Sequence, residues 1–247
     1  MENTVSPLKI FDRSLSPGEI FSLLERHRLL IPLVRETILD EIVSEYPCPL
    51  EEQVIAFQQM RQATGLDSEE IYHDWLARQD LTARAFYEMA IRAWQIERFK
   101  SQHWENQLES YYLERKRQID RVVYSLVRVR NPGMATEIYF RIEEGEASFE
   151  EIAEFYSEGE EKYTRGMIGP IEIGQVHPEI ALRLQTGQPG KIHYPIEFGE
   201  WSVLLRLDHW LPTPFDETTR QRLLDELFQE WLSERALERI RGTGTLG

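Results

Sequence analysis

Side chains able to do chemistry are spread thinly along this chain of 247 residues. Its histidines are His27, His73, His103, His177, His193 and His209, and no two keep the H-x-x-x-H spacing that puts two ligands on one helix face. The single cysteine, Cys48, rules out an internal disulfide and a Cys-rich zinc cluster. Between two prolines, it reads as a small apolar residue near a helix start. GKIHYP lacks the G-x-x-x-x-G-K-[ST] frame of a phosphate loop. The expectation is therefore no metal and no cofactor. One charged feature stands out: Glu143, Glu144, Glu146, Glu150, Glu151, Glu154, Glu158, Glu160 and Glu161 crowd together. Such a run is ordinarily a solvated face; beside a groove it would steer basic segments of a partner.

The elements that position these groups follow from hydrophobic spacing. Residues 14 to 118 read as helices throughout. Ser16 to Glu19 is a capping box with Pro17 at the first helical position. Val34, Ile38 and Ile42 repeat at spacing four, Gly65 stops a third helix, and Asp67 and Thr82 cap the next two. At Arg121 the pattern changes to VVYSLVRV, rich in β-branched residues and about a strand long. Two short helical segments, a charged loop, a strand at 167–171, a brief helix from Pro178 and a strong strand at EWSVLLRLDHW complete a β-α-α-β-α-β order. From Asp216 a last helix carries Leu224, Leu227, Phe228, Trp231 and Leu232 on one face, which must be buried against something. The N-terminal helices are the expected partner. The fold class is α+β: a helical domain at 1–118 completed by the helix at 214–241, an α+β domain at 119–213 inserted between them, and a disordered tail at 242–247.

Composition narrows function. A formal net charge of −15 repels phosphate backbones and anionic lipid, which disfavours nucleic-acid or membrane-surface binding. No stretch approaches the ~18 apolar residues of a membrane span. The N-terminus has no basic region followed by an apolar run, so the expected localisation is cytoplasmic.

An ordered set of motifs covers 121–210: YSLVRV; then Phe149, Ile152, Ala153 and Ser157 along a helix; a charged loop; Gly166, Ile168 and Gly169; Pro178, Glu179 and Ile180; Pro195 and Ile196; and Gly199. This order resembles the parvulin-type peptidyl-prolyl isomerase domain. The surrounding helices are similar to the core domain of SurA-type chaperones and foldases. The resemblance implies a site framed by two histidines on adjacent strands and a Cys or Asp on the charged loop, with apolar residues holding a proline ring. This sequence departs at each polar position. Tyr124 falls at the first histidine and Trp201 at the second; a register one residue different would substitute Ser125 or Ser202. The loop position falls on Gly159 or its neighbours Glu158 and Glu160. Ile168, Val176 and Ile180 keep the apolar character of the ring pocket. Tyr124 and Trp201 are either aromatic core residues or an aromatic peptide-binding wall, and neither supplies a group titrating near neutral pH.

The expected function is a peptide-binding chaperone or adaptor whose isomerase activity is weak or absent. Its partner would be a peptide or unfolded segment, basic or proline-containing, met by an acidic rim of Glu158, Glu160 and Glu161. The alternatives are an active isomerase with an altered site and a structural scaffold without either role.

Overall fold

The computed structural model describes residues 8–10 and 13–242. Its contacts divide the chain into two compact units: residues up to Leu108 together with those from Gln221 on, and residues Glu109–Arg220. The tail expected at 242–247 lies, beyond Gly242, outside the described residues.

The first unit is helical. A small hairpin, β1 (Leu8–Ile10) and β2 (Arg13–Leu15), precedes α1 (Pro17–Arg26), α2 (Leu30–Glu45), α3 (Leu50–Ala63), α4 (Glu69–Arg78) and α5 (Ala83–Trp104). The hairpin lies partly where only helices were expected; three-residue strands are too short to show a period of two. The Ser16–Glu19 capping box forms as read, and Thr82 caps α5. Ser68, not Asp67, caps α4, its hydroxyl accepting the Ile71 N–H. Leu66, Tyr72, Leu76 and Phe86 form a buried core with Phe57 and Trp75 packed around it.

The unit is closed by the last helix, α10 (Glu217–Gly242), from Gln221 on. Leu224, Phe228, Leu232, Ala236 and Ile240 recur every four residues and are all buried, the single apolar stripe that spacing on a helix produces. Phe99 on α5 meets Trp231 at 5.1 Å and Phe228 at 6.0 Å between ring centres. The Lys100 ammonium bonds the carboxylates of Glu97 (2.5 Å) and Asp225 (2.6 Å). Farther along, Arg35 donates to Ser233 (2.7 Å) and Arg239 to Glu41 (2.6 Å). The orphan stripe of the sequence thus completes the N-terminal helices.

The second unit is α+β. It contains α6 (Leu108–Ile119, from Glu109), β3 (Arg121–Val129), α7 (Pro132–Glu143), α8 (Phe149–Tyr156), β4 (Met167–Glu172), α9 (Pro178–Thr186), β5 (Ile196–Phe198) and β6 (Trp201–Leu211). The strands form an antiparallel sheet in the order β4-β3-β6-β5. Alternation along the two central strands makes two apolar faces. Val122, Tyr124, Leu126, Val203, Leu205 and Leu207 pack with Val176 and Leu184 on one. Val127, Val129 and Leu204 pack against α7 and α8 on the other. The two glycines that open β4 are required by contact. Both have positive φ, and a Cβ on Gly166 would sit 2.9 Å from that of Ala153, one on Gly169 2.4 Å from the Val122 carbonyl oxygen.

Candidate functional site

β4 pairs with β3 only from Arg121 to Ser125. Beyond that point the loop after α8 takes over the exposed edge. The Gly166 carbonyl accepts from Leu126 N–H (2.9 Å), and the Arg128 carbonyl from Glu158 N–H (2.9 Å). Ser157 Oγ accepts from Arg128 N–H (3.1 Å), and the Glu158 carboxylate from Arg130 N–H (2.8 Å). The charged loop is thereby stitched to the strand that carries the site.

Around it lies an open cleft of ≈ 390 Å³, lined by Arg128, Arg130, Glu158, Gly159, Glu160, Lys162, Tyr163 and Trp201. Its centre is a salt bridge. Arg128 donates to Glu161 through Nε (3.1 Å) and Nη2 (2.9 Å), and Ser157 Oγ donates to the same carboxylate at 2.5 Å. The geometry is bidentate and the carboxylate is buried, the strong form of such a pair. Trp201 forms the wall, with the guanidinium of Arg130 4.2 Å and that of Arg128 5.5 Å from its ring centre.

Gly159 explains how this pair is accommodated. A Cβ there would lie 2.0 Å from Arg128 Nε and 2.2 Å from a Glu161 carboxylate oxygen. The salt bridge fills the space that a side chain at the loop position would need.

The expected site residues are only partly brought together. Tyr124, Val176, Ile168 and Ile180 join one apolar cluster, against which Trp201 also packs. Tyr124 and Val176 are buried, however, so neither is an open wall. Burial, with the Glu161 charge adding, raises the Tyr124 phenol and keeps it neutral. Tyr124 pairs with Leu207 across the sheet, six residues along β6 from Trp201, roughly 20 Å at ~3.3 Å per residue. Tyr124 and Trp201 therefore do not form one wall, although they share a face. Ser125 and Ser202 lie outside that face's cluster: Ser125 bonds Asp208 (2.7 Å) and Ser202 bonds Glu197 (2.8 Å). Around Ile180, Ile196, Phe198, Val203 and Leu205 the free space is only ≈ 10 Å³, room for about one water.

The acidic rim is mostly neutralised from within. Glu161 is buried in its salt bridge rather than placed on a rim, and Glu158 pairs with Arg130 (2.8 Å). Glu150 pairs with Arg206 (2.7 Å) and Glu154 with Arg165 (3.2 Å), and Glu151 closes the Ser148 capping box. Of Glu158, Glu160 and Glu161, Glu160 alone is exposed without an ion pair among the described residues; in the wider run Glu143, Glu144 and Glu151 are exposed without one too. Sequence reading missed Arg128 and Arg130. Their alternation with Val127 and Val129 marked them as facing away from α7 and α8, but their partners lie 28 to 33 residues distant. No histidine lines the cleft among the described residues. His177 caps α9 and meets the Phe198 ring at 4.6 Å, and His209 lines a cleft with Ser125 and Asp208.

The four-stranded sheet, its flanking helices and the loop-edged cleft make up an α+β domain. Residues 130–209, about a third of the chain, match the family described as Rotamase, the PPIC-type PPIASE domain, so the parvulin-type resemblance of this segment is borne out. Among solved structures, the chain is similar to the peptidylprolyl isomerase PrsA of Bacillus anthracis, at 19% identity and TM-score 0.45, covering 85% of this chain and 97% of that one. The foldase protein PrsA of Streptococcus pneumoniae aligns at 13% identity and TM-score 0.43, covering 96% and 94%. A Campylobacter jejuni chain, from work describing PEB4 and Cj1289 as structurally related SurA-like chaperones, aligns at 14% identity and TM-score 0.37, covering 98% of each. No curated protein shows a match to the chain.

Proposed function

We propose that this protein is a peptide-binding foldase or chaperone whose parvulin-type domain has weak or no prolyl isomerase activity. The observation that carries this reading is the Arg128–Glu161 salt bridge in the cleft. Lowering the ~18–20 kcal/mol barrier of amide rotation takes groups that favour the twisted amide over the planar one. Here Nε and Nη2 of Arg128 are already committed to Glu161, and the apolar space near Ile180 has no room for a proline ring. The exposed Tyr163 and the uncovered part of the half-buried Trp201 remain as aromatic surface able to hold an extended apolar or proline-containing segment.

The test has two arms. Exchange of an Ala-Pro test peptide, which takes tens to hundreds of seconds uncatalysed, is expected to be barely faster with the full chain present. A dye-labelled, proline-rich unfolded peptide is expected to bind, and Trp201→Ala to weaken it about tenfold, the loss of one aromatic anchor worth at least ~1.4 kcal/mol. Efficient turnover would favour the alternative, an isomerase with an altered site in which Arg128 faces the amide. Unchanged affinity in Trp201→Ala would remove the cleft as the binding surface.

A further inference from the structure

The helical unit holds a larger cleft, ≈ 760 Å³, between the end of α2, the start of α3 and the second half of α5. Its walls are Tyr46, Pro47, Pro49 and Trp94; its charged groups are Glu45, Glu52, Glu97 and Arg98. The frame is fixed. The buried Gln95 amide donates to the carbonyls of Val43 and Tyr46, both at 2.8 Å. Gln53 holds the Cys48 carbonyl at 2.8 Å and is itself held by the Tyr87 hydroxyl at 2.7 Å. With Pro47 and Pro49 adding stiffness, the cleft is preformed, so little ordering cost attends a ligand.

Trp94 is the telling residue. Of the six tryptophans, Trp75, Trp104 and Trp231 meet other rings, Trp201 meets two guanidiniums, and Trp210 donates to Asp120. Trp94 alone has neither ring, cation nor hydrogen-bond partner among the described residues. Arg98, one turn along α5, does not lie over it. Glu97 is engaged by Lys100 and by Gln221 (2.7 Å), but Glu45 and the half-buried Glu52 have no ion pair among the described residues.

The geometry points to a second binding site here, which takes a lysine or arginine side chain of an extended polypeptide segment. The cation would lie against the Trp94 ring, the strongest of the aromatic faces for this contact, with the Glu45 and Glu52 carboxylates beside it. The volume lies within the range of small-ligand clefts and exceeds what one cationic head needs. Tyr46 and the prolines therefore take apolar neighbours of the basic residue, and Ser101 and Gln102 meet its backbone. This site is separate from the Trp201 cleft and stands whether or not that cleft binds peptide. It relocates a preference for basic segments from the internally paired glutamates of the α+β unit to unpaired ones in the helical unit.

The probe is a dye-labelled, end-blocked hexapeptide alternating leucine and lysine, titrated into the full chain. Copies with norleucine or glutamate in place of lysine serve as controls. The lysine peptide is expected to bind best. Trp94→Ala should weaken it about fivefold at low and high salt alike. Glu45→Gln with Glu52→Gln should weaken it about threefold at low salt and little at high salt, where exposed charges are screened. Neither change should alter affinity for the proline-rich peptide. If Trp94→Ala loses its helical circular dichroism, the doubly substituted glutamine variant decides. Equal affinity for the lysine and norleucine peptides, or undiminished lysine-peptide affinity in a folded variant, overturns the site.

Discussion

Replacing Phe228 by Ala tests whether α10 is an integral part of the helical unit. The side chain is 3% exposed. It meets Phe99, Trp104 and Trp231 at 6.0 to 6.1 Å between ring centres and carries the Lys100 ammonium 5.1 Å above its ring. Removing a buried phenyl group from such a cluster costs about 3–5 kcal/mol, transfer and cavity together. For a unit of this size each kcal/mol moves the melting midpoint by roughly 3–4 °C, so the expected fall is roughly 10–20 °C. Near-ultraviolet circular dichroism of the full chain measures the midpoint, and amide hydrogen exchange locates the damage. Protection should drop in α5 and α10 while β3 and β6 keep theirs. A midpoint change below about 3 °C, or equal loss of protection in β3 and α5, would refute the assignment of α10 to the helical unit.

Three further outcomes are expected. Gly159→Ala should destabilise the α+β unit by about 1–3 kcal/mol, because its Cβ must displace the Arg128–Glu161 pair; denaturant midpoints check this. Asp120→Ala should cost about 3–5 kcal/mol in the same assay, since it strands the groups that Asp120 serves: Lys116 (2.8 Å), the Thr213 N–H (2.9 Å) and Trp210 Nε1 (3.0 Å). Burial alone would raise the Asp120 carboxyl, but these donors hold it below the ordinary range; its contribution is therefore present above about pH 4 and lost as pH falls toward the folded value. Burial, with the Arg183 charge adding, lowers His193, so the unfolded chain protonates first. Stability should then decline as pH falls from about 6.5, and His193→Asn should flatten that decline in melts at about pH 7.5 and 5.5.

The sequence showed what depends on short-range period. The α10 stripe and the two central strands each extend a pattern over many residues, the capping box of α1 is a local four-residue motif, and each formed. Elements of three residues, β1, β2 and β5, carry no measurable period and were missed. The site was less legible, because its determinants are long-range. Gly159 looks like any loop glycine until Arg128 and Glu161 are brought from 33 residues apart to within 3 Å of one another. Register had the same character. Tyr124 and Trp201 were read as either core residues or one wall, and only the pairing of Tyr124 with Leu207, six residues along β6 from Trp201, shows how far apart they sit. The acidic run likewise looked unopposed in one dimension, while its arginines came from β3, β6 and the loop.

The closing role of α10 also orders events during synthesis. α1 to α5 leave the ribosome with the slot for Leu224, Phe228 and Trp231 unfilled. Residues 109–220 must be translated before the filling strip exists, a delay of roughly 6–20 s at ~5–20 residues per second. The α+β unit, whose strands all lie inside that interval, is complete first. The helical unit, although its first helices precede the α+β unit in sequence, is thus the last to be completed, and until then its apolar slot stays exposed on the nascent chain.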